Sequence, residues 1–122
     1  MNVLYLAIGG TLGTLARYYL SGWVSDAWPR PGVGIFVVNI TGAFIIGLFL
    51  TLSEERFLWP SQLRVLVATG FLGAFTTFST WQWESLQMYR VSDVVGGSVN
   101  LVGSLICGLF AVYLGSVVAR AI

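Results

Sequence analysis

Residues 69–81 read TGFLGAFTTFSTW and lie in the middle of a long apolar segment. They combine two glycines, Gly70 and Gly73, with a cluster of hydroxyl side chains. Glycine weakens a helix by about 1 kcal/mol relative to alanine, so this close pair predicts a helix break. At a break inside a membrane, free backbone groups are tolerated only where they are buried or line a cavity. The alternative is a kinked helix whose hydroxyls bond to its own carbonyls.

The rest of the chain predicts a membrane protein around that segment. Of its 122 residues, 57% are hydrophobic and 9% are charged, whereas a soluble domain carries about 25% charged residues. A membrane-spanning helix needs about 20 mainly apolar residues. We therefore predict one all-α membrane domain over residues 1–122, with spans at about 3–23, 33–52, 63–88 and 94–118.

The residue types that are absent exclude several function classes. The chain has no histidine and no lysine, and Cys107 is its single cysteine. Histidine-dependent nucleophile pairs and histidine metal sites are therefore excluded, as is a clustered basic nucleic-acid surface. We expect no catalytic residues, so the chain is not predicted to be an enzyme.

The arginines in the loops give almost no orientation bias. Arg56, Arg64 and Arg120 fall on the side that holds both termini, whereas Arg30 and Arg90 fall on the other. Because such residues normally set the orientation, a near-equal count permits insertion either way up. The spacings Gly9-x3-Gly13 and Ser104-x3-Gly108 allow close helix contacts, either within one chain or between copies. Together with the small size, they favour an oligomer, most simply a dimer.

Polar residues at membrane depth are costly and usually face an interior or a water-filled path. Three such residues have two possible interpretations, as links between helices or as uncharged donors to an anion: Asn39, Asn100 and Ser104. Arg17 is read as a snorkelling side chain or as a charge at a vestibule. Glu84 is read as an interfacial acid or as a vestibule or gating residue.

Two aromatic residues and the polar break suggest ion contacts. Phe78 and Trp81 are three residues apart and share a helix face. Aromatic ring edges are positive, so they could touch an anion, although core packing is the ordinary role for such residues. Carbonyls freed by the break would suit a cation such as Na⁺.

Four motifs, in order along nearly the whole chain, resemble the small Fluc (CrcB-type) fluoride channels. The third is long and specific, and the other three are short. They read Gly13-Thr14-Leu15-Ala16-Arg17-Tyr18; Gly34-Ile35-Phe36-Val37-Val38-Asn39 followed by Gly42; Gly70-Phe71-Leu72-Gly73-Ala74-Phe75-Thr76-Thr77-Phe78-Ser79-Thr80 followed by Glu84; and Val99-Asn100-Leu101-Val102-Gly103-Ser104.

This resemblance implies an antiparallel, dual-topology dimer of four-helix subunits in the cell membrane, with two pores that export fluoride passively. It also implies one structural Na⁺ at the dimer interface, held by main-chain carbonyls that correspond to Gly73 and Thr76. The pore positions of the family correspond to Asn39, Phe78, Ser79, Thr80, Trp81 and Ser104, and Asn100 is the further polar candidate.

The sequence departs from the family pattern at two positions. Trp81 stands where the family usually has phenylalanine, and Ile35 stands where it usually has threonine. Trp81 keeps a positive ring edge and adds an N–H donor, whereas Ile35 removes a hydroxyl. Since some members of the family pair two unequal subunits, the partner is either a second copy of this chain or a related subunit.

Two other functions fit parts of the sequence. Small multidrug exporters are similar in size to this chain, but they resemble coupled exchangers that carry an acidic residue in the middle of the first span. The first span of this chain has no Asp or Glu. A non-transporting subunit of a membrane complex would explain the small residues, but it would not need the polar cluster of the third span.

Overall fold

Every regular element of the chain is helical. The computed structural model describes residues 1–122, with long helices at Asn2–Ala27, Val33–Glu55 and Val94–Ala121 and an interrupted helical segment over Ser61–Arg90. These bounds lie within a few residues of the predicted spans. The prediction of an all-α chain with four helical segments is confirmed.

Three of the four segments are long and apolar enough to cross a membrane: Val33–Glu55, Ser61–Arg90 and Val94–Ala121. The first helix is equally long, but it includes Arg17 and several glycines and tyrosines, which make it less apolar. It packs along the third segment and against the second helix.

The third segment is broken at its centre, as predicted. It begins with one α-helical turn at Ser61–Arg64, continues as a π-helix over Val65–Leu72 and returns to α geometry at Gly73–Phe75. Thr76 and Thr77 are then extended, with φ/ψ of −84°/151° and −142°/117°. We call residues 61–75 the leading arm and Phe78–Arg90 the trailing arm.

The break follows Gly70 and Gly73 rather than coinciding with them. Gly70 instead allows close packing with the first helix, since a Cβ on it would lie 3.2 Å from the Gly9 Cα. A Cβ on Gly9 would overlap the carbonyl oxygen of Leu66, and a Cβ on Gly13 would overlap that of Phe71. The first helix therefore lies directly on the backbone of the leading arm. The Gly9-x3-Gly13 pair makes an intrachain contact and carries no argument for a dimer.

An ion-pair cluster brings three chain segments together at the end that holds both termini. Arg120 binds Glu55 with N–O distances of 2.9–3.2 Å, and the Arg56 guanidinium donates to the Arg120 carbonyl at 2.6 Å. Arg64 lies 3.8 Å from Glu54. The sequence prediction that Arg56, Arg64 and Arg120 share one end is confirmed.

The core of the chain is small, and its outer surface is apolar. Only 19 of 122 residues are buried, and the central cluster consists of Val38, Leu72 and Phe75. Most large hydrophobic side chains face outward, whereas soluble monomers rarely expose large continuous apolar surfaces. Together with the helix lengths, this surface identifies a membrane protein.

Candidate functional site

Asn39 on the second helix closes the gap left by the break. Its Oδ1 accepts from the Thr77 amide at 2.8 Å, and its Nδ2 donates to the Thr77 carbonyl at 3.1 Å. The two bonds fix which end of the Asn39 amide faces which backbone group, because an oxygen cannot donate to a carbonyl. One N–H of the Asn39 amide remains free of any protein partner. Asn39 is therefore a link between helices that keeps one donor available.

Thr77 also caps the N-terminus of the trailing arm. Its hydroxyl oxygen accepts from the Thr80 amide at 3.4 Å and lies 3.1 Å from the Thr80 hydroxyl oxygen. A threonine in this position satisfies one of the unpaired N–H groups of a helix N-terminus. The predicted pore residue Thr80 thus joins the capping contact, whereas Ser79 is exposed and makes no side-chain hydrogen bond.

Trp81 is held against the fourth helix. Its indole N–H donates to the Asn100 carbonyl at 3.0 Å, and the side chain is only 7% exposed. The additional donor that the sequence attributed to Trp81 is therefore already engaged. The Phe78 ring meets the Trp81 ring edge-on at 5.5 Å and 70° but is 70% exposed. The two aromatic residues share a face, as predicted, but only Phe78 points out of the subunit.

Ser104 lies one turn beyond Asn100 on the fourth helix, with a buried hydroxyl oxygen that has no hydrogen-bond partner. It lines a groove of about 240 Å³, which we call the central groove. None of the residues that line it is charged: Asn39, Ile40, Thr76, Thr77, Phe78, Trp81, Ser104, Leu105 and Gly108. The fold thus brings together Asn39, Phe78, Trp81 and Ser104 from three helical segments.

The backbone at the break has free acceptors. The Thr76 carbonyl has no hydrogen-bond partner, although the Thr76 hydroxyl donates back to the Leu72 carbonyl at 3.0 Å. The Gly73 carbonyl loses its α-helical partner, because the Thr77 amide donates to Asn39 instead. Both residues line a second cavity of about 320 Å³ between the leading arm and the second and fourth helices. Their carbonyls are suited to a cation that prefers oxygen ligands.

The two charged candidates lie outside the central groove. Glu84 is half-buried, and one of its carboxylate oxygens is buried without a hydrogen-bond partner. It lines a cavity of about 400 Å³ near the end of the first helix, together with Tyr18, Ser21 and Asp26. Arg17 is half-buried and forms neither an ion pair nor a side-chain hydrogen bond. The structure does not bring Arg17 and Glu84 into contact.

Sequence reasoning missed Ser85. This side chain is 1% exposed, donates to the Trp81 carbonyl at 2.8 Å and accepts from the Asn100 Nδ2 at 2.8 Å. Its position one turn after Trp81 is the signal that could have placed it on the same helix face. Ile35, the second departure from the family pattern, is buried and lines the cavity that contains Glu84.

Comparison with known proteins gives matches along almost the whole chain. Residues 4–116 match the family described as CrcB-like protein, Camphor Resistance (CrcB). A relative from Geotalea daltonii, "Fluoride-specific ion channel FluC", is 44% identical over 99% of this chain and 98% of its own length. One from Geotalea uraniireducens with the same name is 43% identical over the same shares. "Fluoride-specific ion channel FluC 1" of Methanosarcina acetivorans is 41% identical over 97% of this chain and 90% of its own length.

Proposed function

The chain belongs to the CrcB family, and we propose on that basis that it forms a passive channel that exports fluoride from the cytoplasm. This is a family of ion channels and not of enzymes, and the relatives are named fluoride-specific ion channels. The chain is a membrane protein, and we place it in the cell membrane as a multi-pass subunit.

The central groove is the observation that carries this proposal. Fluoride is small and strongly hydrated, so a pore must replace its water with several donors, each weak enough to let it leave. Asn39 offers one free N–H, and Ser104 offers a buried hydroxyl without a partner. The edges of the Phe78 and Trp81 rings add positive surface without a fixed charge that would trap the ion.

We propose that two copies assemble in antiparallel orientation and so close the groove. In one subunit the groove is open and Phe78 is 70% exposed. A polar lining that faced lipid would be costly, so a protein partner must cover it. The near-equal arginine counts at the two ends allow the partner to be an inverted copy. A related but different subunit would fit the same groove and remains the alternative.

We further propose a structural Na⁺ at the interface, bound by the carbonyls of Gly73 and Thr76. The unpartnered Thr76 carbonyl and the Gly73 carbonyl, freed from its helical bond, support this assignment. Two such carbonyls from each copy would supply four oxygen ligands. The positive charge would lower the cost of bringing fluoride to the middle of the membrane.

Export follows from the chemistry of hydrogen fluoride. HF enters as a neutral acid and ionises inside the cell, so fluoride accumulates there unless a pathway lets it leave. A passive channel lets it flow down its electrochemical gradient without coupling to another ion. We do not propose the alternative function of a coupled multidrug exporter, because the family is one of ion channels.

The proposal is tested by reconstituting the purified chain alone in liposomes and recording fluoride efflux with an electrode. We expect rapid fluoride release, no chloride release, and loss of the fluoride signal in Phe78→Ile. Phe110→Ile is the matched control, because Phe110 is an exposed phenylalanine of the fourth helix outside the groove. If folded protein releases no fluoride, the homomeric channel is wrong and a partner subunit must be sought.

A further inference from the structure

A second groove, of about 490 Å³, lies between the start of the second helix and the first half of the fourth. Residues 30–36, which lead into the second helix, form one wall, and residues between 93 and 107 form the other. We call it the lateral groove. It shares no lining residue with the central groove, so it is a separate feature of the surface.

The lining of the lateral groove changes from charged to apolar along its length. Arg30 and Asp93 lie at the end formed by the loops, and Gly103 and Cys107 lie farthest along the fourth helix. Four large apolar side chains line the part between: Val33, Phe36, Met88 and Val99. Asn100 is the one amide in this part, and its Nδ2 is already bonded to Ser85. The groove therefore has a charged mouth and a mainly apolar body.

The length of the lateral groove corresponds to one leaflet of a bilayer. At 1.5 Å per residue, the fourth helix covers about 21 Å from Asp93 to Cys107. A bilayer with its headgroups is about 40–45 Å thick, so one leaflet measures about 20–22 Å. A phospholipid has the same order of charged headgroup and apolar chains over the same depth.

The two charges at the mouth are not compensated by the protein. The Arg30 guanidinium forms neither an ion pair nor a side-chain hydrogen bond. One oxygen of Asp93, Oδ1, accepts from the Gly96 amide at 2.9 Å, and Oδ2 has no protein partner. Arg30 and Asp93 do not pair with each other. The mouth thus offers one free cation and one free anion, which suits a ligand that carries both signs.

We propose that the lateral groove binds one phosphatidylethanolamine molecule of the surrounding bilayer. Its phosphate accepts from the Arg30 guanidinium, a strong and directional pairing. Its ammonium donates to Asp93 Oδ2, and one acyl chain lies along the apolar body. Phosphatidylglycerol would bring no cation to Asp93, and the methylated ammonium of phosphatidylcholine has no N–H to donate. The proposal does not depend on the channel function, because the two grooves are separate.

The first test compares three lipids with identical acyl chains by native mass spectrometry of the purified chain in detergent. Each lipid is titrated, and the fraction of protein that retains one lipid molecule gives an apparent affinity. We expect phosphatidylethanolamine to bind about fivefold more tightly than phosphatidylglycerol or phosphatidylcholine, the effect of one exposed ion pair. Equal affinities, or tightest binding of either other lipid, would overturn the proposal.

Charge variants assign the two ends of the headgroup. Arg30→Gln should weaken phosphatidylethanolamine and phosphatidylglycerol about fivefold each, because both carry the phosphate. Asp93→Asn should weaken phosphatidylethanolamine about fivefold but not phosphatidylglycerol, and asparagine still caps the fourth helix. Arg90→Gln and Asp26→Asn are the controls, since they neutralise charges outside the lateral groove. The proposal fails if Asp93→Asn leaves phosphatidylethanolamine binding unchanged or weakens both lipids equally, or if the controls reduce binding as much.

A filled groove tests where the acyl chain lies. A Cβ on Gly103 would meet only Val99 Cγ1, at 3.9 Å, so leucine fits there and occupies part of the groove. Gly103→Leu should lower the affinity for phosphatidylethanolamine at least about fivefold, whereas Gly10→Leu, also in open space, should not change it. If Gly103→Leu does not fold, the two charge variants decide. Unchanged lipid binding in folded Gly103→Leu would overturn the proposal, and a loss of dimer mass instead would show that a second copy occupies the groove.

Discussion

Asn39 binds both main-chain polar groups of Thr77, accepting from its amide at 2.8 Å and donating to its carbonyl at 3.1 Å. The side chain thereby replaces a helical neighbour at the point where the third segment is broken. Without these two bonds, the N–H and the carbonyl of Thr77 would be unsatisfied backbone groups at membrane depth, and each such group costs several kcal/mol. Asn39 thus stabilises the break and lines the groove at the same time.

Replacing Asn39 with aspartate should disrupt the break. One oxygen of the introduced carboxylate could still accept from the Thr77 amide, but the other oxygen would face the Thr77 carbonyl and repel it. We expect Asn39→Asp to lose about 1–3 kcal/mol in free energy of unfolding and to abolish fluoride efflux. The stability is measured by detergent-induced unfolding followed by circular dichroism, and the flux by the liposome assay.

The control for this change is Asn2→Asp, at an exposed position at the start of the first helix. It adds the same charge away from the groove and should alter neither quantity. Normal stability in Asn39→Asp would show that the two bonds to Thr77 do not hold the break.

Two neighbouring glycines of the first helix should differ in their response to substitution by alanine. A Cβ on Gly9 would overlap the Leu66 carbonyl oxygen, whereas a Cβ on Gly10 meets nothing within 4 Å. Gly9→Ala should therefore lower the free energy of unfolding by about 1–3 kcal/mol through overpacking. Gly10→Ala should be neutral, or stabilising by up to about 1 kcal/mol, because alanine favours a helix. Equal effects in the same unfolding assay would contradict the close contact between the first helix and the leading arm.

The sequence was sufficient to predict the four helical segments, because long apolar runs separated by loops containing proline or charge leave little choice of structure in a membrane. It also predicted a break in the third segment. It did not place that break at Thr76 and Thr77, because glycine weakens a helix in any context and the packing partner decides its role. Gly70 is used for contact, with a Cβ that would lie 3.2 Å from the Gly9 Cα.

The candidate site was predictable residue by residue but not as an arrangement. Uncharged polar groups at membrane depth are rare enough to identify Asn39, Asn100 and Ser104 directly. Their partners depend on distant segments: Asn39 bonds to Thr77, 38 positions away, and Asn100 bonds to Ser85, 15 positions away. Ser85 escaped notice because a serine that bonds its own helix is ordinary in a sequence.

Removal of Na⁺ tests the proposed cation site separately from the channel. With N-methyl-D-glucamine as the only cation during purification and reconstitution, we expect fluoride efflux to fall by at least about tenfold. The free carbonyls of Gly73 and Thr76 would then be left unpaired at the interface, where an unsatisfied group costs about 1–3 kcal/mol. Returning Na⁺ should restore the flux. Adding K⁺ instead of Na⁺ is the control for ionic strength. Full activity without Na⁺ would exclude the structural ion but leave the channel proposal in place.

Trp81→Phe tests what the indole contributes beyond an aromatic edge. The change removes the bond to the Asn100 carbonyl, and we expect a loss of about 0.5–1.5 kcal/mol in free energy of unfolding. Fluoride efflux should stay within about threefold of the unmodified chain, because a phenyl ring keeps a positive edge toward the groove. Trp83→Phe is the control, since Trp83 is 56% exposed and should alter neither quantity. If efflux is lost in Trp81→Phe while folding is retained, the indole N–H is required to fix the ring, and the aromatic edge alone does not account for conduction.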